Sequence, residues 1–168
     1  MIIMSILSSK WTIGLSILVA SYLILWLAGK KSVEAEVTIE ASADEVWEAL
    51  TDLEKVRQWN KVLIPVEGQM PVNNKIRYEF YQEEDGKAAV MDAKIEEVVK
   101  SSLINQKGGI PTVITFDHHY VLSDNENKTT VKIFEEYQGV MVPFWNPEPV
   151  EKAYERLLAQ LKTFVENG

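Results

Sequence analysis

From Val33 to Glu40 the chain alternates Val33, Ala35, Val37 and Ile39 with Glu34, Glu36, Thr38 and Glu40, a period of two that predicts a strand with one apolar and one acidic face. The period then changes. Ser42 stands three residues before Glu45, the spacing of a capping box, and Val46, Trp47, Leu50, Leu53 and Val56 follow at helical intervals. This predicts two short helices with a break near Thr51 and Asp52. Strands are expected over 61–67, over KIRYEFYQ after the PVNN turn at 71–74, and over KAAVMDAKIEEVV after the EEDG turn at 83–86. SSLINQ reads as a short strand and GGIP at 108–111 as the connection out of it. On the next strand, TVITFDHHYVL, Ile114, Phe116, His118, Tyr120 and Leu122 share a face. SDNENK at 123–128 reads as a loop, and TTVKIFEEYQG sets Val131, Ile133, Glu135 and Tyr137 on one face before Gly139 ends the strand. Pro143, Pro147 and Pro149 bracket a loop carrying Phe144 and Trp145. Val150, Tyr154, Leu157, Leu158, Leu161, Phe164 and Val165 then mark a terminal amphipathic helix of about 17 residues.

The order is one strand, two short helices, about six strands joined mostly by short turns, and a long helix. Hairpin-joined strands pair antiparallel, and helices segregated from the strand run give an α+β class. The apolar side of the last helix must be buried, and the only large apolar surface available to it is the concave face of the sheet.

The first thirty residues follow a different pattern. Trp11 to Ala28 (WTIGLSILVASYLILWLA) carries no charge, and every acidic residue lies beyond Val33. Eighteen helical residues rise roughly 27 Å, close to the roughly 30 Å of a hydrocarbon core, and Ile2 to Leu7 could lengthen the apolar stretch. Trp11 and Trp26 near its ends, with Tyr22, suit the membrane interface. An uncleaved anchor fits better than a signal peptide. The run is longer than a signal's apolar region, and cleavage after Ala28 or Gly29 would put Trp26 or Leu27 where a small residue is wanted. The expected division is therefore a transmembrane anchor over 1–31, spanning about 11–28, and a separate folded domain over 32–168. The contiguous Lys30 and Lys31 directly after the span point to a single-pass cell-membrane protein with its domain on the cytoplasmic side.

Composition narrows the function. The 168 residues carry 17 Lys+Arg against 25 Asp+Glu, and the segment beyond Lys31 holds 14 basic and 25 acidic residues, a formal charge of −11. A nucleic-acid partner is not expected, since it demands a basic footprint. The absence of cysteine removes disulfides, thiolate metal sites and a cysteine nucleophile. No G-x-S-x-G, P-loop or G-x-G-x-x-G is present, so neither a serine-hydrolase elbow nor a nucleotide cofactor is expected.

Several segments in order resemble the START and polyketide-cyclase-like (SRPBCC) superfamily. They are IEASADEVWEALTDLEKVRQWN after the opening strand, MDAKIEEVV, HHYVL and TTVKIFEEYQG, closed by the terminal helix. The resemblance covers roughly residues 33–166. It implies the helix-grip fold, a seven-stranded antiparallel sheet wrapped around a long C-terminal helix with a hydrophobic cavity between them, here preceded by one transmembrane helix.

His118 and Glu135 fall on adjacent strands. If Leu122 pairs with Thr129, His118 faces Ile133 and has Glu135 as its diagonal neighbour. Such a pair could polarise a carbonyl or move a proton, or could simply satisfy two buried polar groups. His119 is expected to face solvent. Because adjacent strand residues point to opposite faces, the two histidines do not form a metal site. Tyr78, Phe80, Met91, Phe116, Tyr120 and Tyr137 would line the cavity, while Trp59, Phe144 and Trp145 would border its mouth and Trp47 would pack in the core. The resulting expectation is a membrane-tethered module that binds or transfers a hydrophobic small molecule or lipid, without a cofactor. Two alternatives stay open: an aromatase/cyclase-like enzyme using His118 and Glu135, and a filled-core protein-interaction domain.

Overall fold

The computed structural model describes residues 10–168. The proposed apolar extension over Ile2 to Leu7 lies outside the described residues. Helix α1 (Lys10–Ala28) has no buried residue and is long and apolar enough to cross a membrane. Gly29 alone separates it from β1 (Lys30–Ile39). The short helices are α2 (Ala43–Thr51) and α3 (Leu53–Trp59), followed by β2 (Leu63–Gly68), β3 (Lys75–Phe80), β4 (Ala89–Val99), β5 (Leu103–Ile110), β6 (Ile114–Asn125) and β7 (Lys128–Gln138). A 3-10 turn (Val142–Phe144) leads to α4 (Glu148–Asn167).

The seven strands form one antiparallel sheet in the order β1-β7-β6-β5-β4-β3-β2. Irregularities between Pro65 and Glu67 and between Ile95 and Glu97 interrupt the ladder, and such bulges bend and twist a sheet. Pro65 costs no ladder bond because β2 is an edge strand. The sheet wraps around α4, which buries Val150, Ala153, Tyr154, Leu157, Leu158 and Leu161. This is the α+β helix-grip architecture.

Local signals explain the elements that close the grip. Ser42 and Glu45 form both bonds of a capping box at the start of α2. The break after Thr51 is Asp52, whose extended backbone ends α2 while its side chain accepts from Glu54 and Lys55 N–H groups to start α3. Proline in the first turn and the acidic Glu148 and Glu151 begin α4.

Three boundaries differ from expectation. β1 starts at Lys30 because Lys30 and Lys31 pair with Gln138 and Tyr137, and the Lys31 ammonium donates to the carbonyls of Trp145 (2.5 Å) and Pro143 (3.4 Å). Gly108 and Gly109 belong to β5, and the chain reverses only at Pro111 and Thr112. A side chain at Gly108 would strike Asp92 O at 2.3 Å and the Phe116 ring at 2.4 Å, so the strand passes there only as glycine. The segment 123–128 is almost entirely strand. Its turn is Glu126 and Asn127, both at positive φ (50° and 68°), as a tight two-residue hairpin requires.

Candidate functional site

That hairpin sets the register of the pair at the centre of the grip. Leu122 pairs with Val131, not Thr129, so His118 lies directly opposite Glu135 and not diagonal to it. Both side chains point into the sheet's concave face and are buried, at 2% and 3% exposure. His118 Nδ1 is 3.5 Å from Glu135 Oε1. Glu135 Oε2 accepts from two phenols, Tyr137 on its own strand and Tyr154 on α4, each at 2.5 Å. Burial, followed by the nearby Glu135 charge, pushes both phenols far above the ordinary tyrosine range, so they remain donors. The His118 ring meets Tyr120 and Tyr154 edge-on at 4.7 and 5.3 Å. His118 Nε2 has no hydrogen-bond partner.

A second polar pair adjoins the first. The Tyr78 hydroxyl donates to Gln106 Oε1 at 3.0 Å, with both residues buried. Burial raises the Tyr78 phenol, and the Gln106 bond only partly offsets this; burial likewise raises Tyr120. Around these groups the core is apolar, built from residues such as Ile76, Ala93, Ile95, Ile133 and Leu157.

The expected hydrophobic cavity is reduced in this structure to two small voids. One, about 20 Å³, lies against Leu50, Leu53, Val56, Met70, Tyr78 and Tyr120; the other, about 10 Å³, touches Met91, Phe116, His118, Glu135 and Tyr154. Leu63, Tyr78 and Gln106 border both. A void needs about 10–15 Å³ to hold one water, so the larger has room for a single molecule. Side chains from α4 and the two short helices occupy the rest.

The expected lining residues therefore divide. Tyr78, Met91, Phe116, His118, Tyr120 and Glu135 border the voids, whereas Phe80 packs on Tyr154 at 6.0 Å and Tyr137 packs on Trp145 at 4.4 Å. Trp59 borders the larger void and is buried, its indole N–H donating to Ala49 O at 3.0 Å, and it also lines an open groove against Gln160, Thr163 and Phe164 of α4. Phe144 is 72% exposed and borders neither void, and Trp145 is half-buried. Trp47 is buried as expected. His119 lies on the outer face as the alternation requires, but it is half-buried and not freely solvated, with Nε2 2.8 Å from Asn105 Nδ2 and 3.4 Å from Asp117 Oδ1.

Sequence reasoning missed Gln106 and Tyr154. The signal for Gln106 was two consecutive amides in SSLINQ, one of which must face inward on any strand. The signal for Tyr154 was a hydroxyl within the otherwise aliphatic stripe of α4.

The domain also has a larger concavity, about 680 Å³, at the end of the sheet next to α1. Its walls are mixed, with the charged Lys30, Lys94, Lys107, Glu96, Asp117 and Glu136 beside Pro111, Phe116 and Tyr137. Lys107 pairs with Asp117 at 2.7 Å and Lys94 with Glu96 at 3.1 Å.

No curated protein sequence matches the chain. Solved structures with a similar fold include DynU16 of the dynemicin biosynthetic locus, at 20% identity and a TM-score of 0.61, covering 82% of this chain and 48% of that one. The present chain thus spans about half the length of DynU16. CalU16 from Micromonospora echinospora is 16% identical with a TM-score of 0.61, over 81% of this chain and 76% of that one. Protein CV1439 from Chromobacterium violaceum is 16% identical with a TM-score of 0.67, over 80% and 96%. At these identities the likeness is one of fold. The family model described as polyketide cyclase / dehydrase and lipid transport matches residues 30–166, so nearly all of the chain beyond α1 is covered, and the protein belongs to that SRPBCC family.

Proposed function

We propose that the domain takes up a hydrophobic small molecule or lipid between sheet and α4, with α1 as a single-span anchor and the domain on the cytoplasmic side of the membrane. The observation that carries this reading is the His118 ring: a fully buried imidazole in an apolar grip, bordering a void, with Nε2 unpartnered. Buried polar atoms are almost always paired, so an orphan at this position is a contact held ready for a polar group on an otherwise apolar guest. Glu135 and Tyr154 hold the ring from its other sides.

A ligand of ordinary size needs about 300 Å³ or more, so binding must open the grip. The elements best placed to move are α2, α3 and the Met70 segment, which wall the larger void without belonging to the sheet. The test is thermal unfolding of the full chain in detergent with fatty acids, lysophospholipids and aromatic polyketides added. A ligand of the native state raises the melting temperature, and His118→Leu removes that rise. No stabilisation by any of them would sink the reading.

The near absence of open volume favours a second reading, a filled-core domain whose acidic surface recruits a basic protein. It predicts no ligand stabilisation and salt-sensitive capture of a basic partner. A cyclase-like activity would use the same His118 and Glu135 for proton transfer, and it too requires the grip to open around a substrate.

A further inference from the structure

Outside α1, the exposed large hydrophobic residues other than valine, among the described residues, are Ile110, Met141 and Phe144, at 62%, 51% and 72% exposure. They are far apart in sequence but share one end of the domain. Val113 N–H donates to Ile110 O (3.1 Å), Met141 N–H to Val113 O (3.1 Å) and Val140 N–H to Thr112 O (3.0 Å), which ties the β5–β6 turn to the segment after β7. Gly139 N–H donates to Gly29 O (3.0 Å), which ties that segment to the foot of α1. Lys30 and Lys31 flank the same edge.

We infer that this rim is a second membrane contact, in which Ile110, Met141 and Phe144 seat in the interfacial layer of the bilayer that α1 crosses. The inference rests on the anchor reading of α1 and deepens it. With one residue between helix and sheet, the rim lies at the depth where α1 leaves the hydrocarbon. An apolar patch there is either wetted or buried in lipid, and burial is favourable. The occupant is a lipid surface because the patch is joined, through Gly29, to a helix of matching apolarity, while the exposed Lys30 offers a cation at headgroup level. Elsewhere the strongly acidic domain is repelled by an anionic leaflet, so this end is the one able to touch it. Tyr137, which donates to Glu135, packs on Trp145 beside Phe144, so the rim is one side chain away from the buried polar cluster.

The chain lacks cysteine, so single reporters can be introduced without background. Full-length Phe144→Cys, Ile110→Cys, Leu18→Cys and Asp124→Cys, each carrying an environment-sensitive fluorophore, would be reconstituted in phosphatidylcholine vesicles containing nitroxide lipids. Asp124 lies ten residues along β6 from Ile114, roughly 30 Å from the rim. The expected result is that headgroup-level nitroxides quench the labels at 144 and 110 several-fold more than the label at 124, while acyl-chain nitroxides quench the label at 18. Labels at 144 and 110 that match the label at 124, with the label at 18 still quenched, would overturn the rim contact and leave the anchor standing. Loss of quenching at 18 as well would overturn both.

Discussion

His118 and Glu135 occupy directly paired positions on β6 and β7, with Nδ1 3.5 Å from Oε1, and the same carboxylate anchors two phenols through its other oxygen. Glu135 is thus the hub of the interior polar cluster: one residue joins β6, β7 and α4, the three elements that define the grip.

Removing the hub should therefore be costly. Glu135→Leu strands the Tyr137 and Tyr154 hydroxyls without an acceptor, and at about 1–3 kcal/mol for each unsatisfied buried donor the loss should be about 2–6 kcal/mol in urea unfolding. Glu135→Gln keeps one acceptor oxygen and should lose less. Equal losses for the two variants would show that the phenols do not depend on this acceptor.

His118 carries two roles. His118→Leu leaves the buried Glu135 Oε1 without its partner, a loss of about 1–3 kcal/mol, and removes the unpartnered Nε2, so stabilisation by hydrophobic ligands should be abolished. A large stability loss with ligand response intact would make His118 a structural residue only.

Gly108 tests the tightness of the β4–β5–β6 junction. An added methyl meets a backbone carbonyl as well as the Phe116 ring, so the strands themselves must shift, and Gly108→Ala should cost about 1–3 kcal/mol. Pairing it with Phe116→Leu should recover only part of that loss, because Asp92 O remains in the way. Full recovery would place the whole strain on the ring.

Alkaline titration should report on the four buried phenols of the grip. Tyr78, Tyr120, Tyr137 and Tyr154 are all raised above the ordinary value of 10.0, chiefly by burial. Above pH 10 the unfolded chain releases these protons and the folded chain keeps them, so their contribution is complete below that pH and stability falls as pH rises further. Tyrosinate absorbance from these four should appear only with loss of fold. Gradual ionisation of these four near pH 10 with the far-ultraviolet spectrum unchanged would contradict their burial.

The apolar face of α4, the capping box at Ser42 and the inward set on β7 were legible because each is a local pattern that tertiary structure had only to bury. The β6–β7 register was not legible. Glu126-Asn127 lacks the glycine that usually marks a tight hairpin, and the polar run around it reads as loop although both strands continue through it. Lys30 and Lys31 likewise hide the start of β1, since their pairing with Gln138 and Tyr137 and the bonds from Lys31 to the Pro143 and Trp145 carbonyls come from more than a hundred residues away. Residue type marked Phe144 as a cavity-border candidate, but only the position of the 3-10 turn shows that it faces outward. The filling of the grip is also invisible in sequence, because it depends on how closely α2 and α3 approach Tyr78 and Tyr120.

The lone Gly29 between helix and sheet has a logistical consequence. A flexible tether lets a domain sweep a volume that grows with its length, but one residue whose carbonyl is already bonded to Gly139 leaves no slack. With α1 in a bilayer, the domain has no reach: it cannot carry cargo across a gap between membranes, and any exchange must take place with the lipid beneath it or with a carrier that comes to its surface.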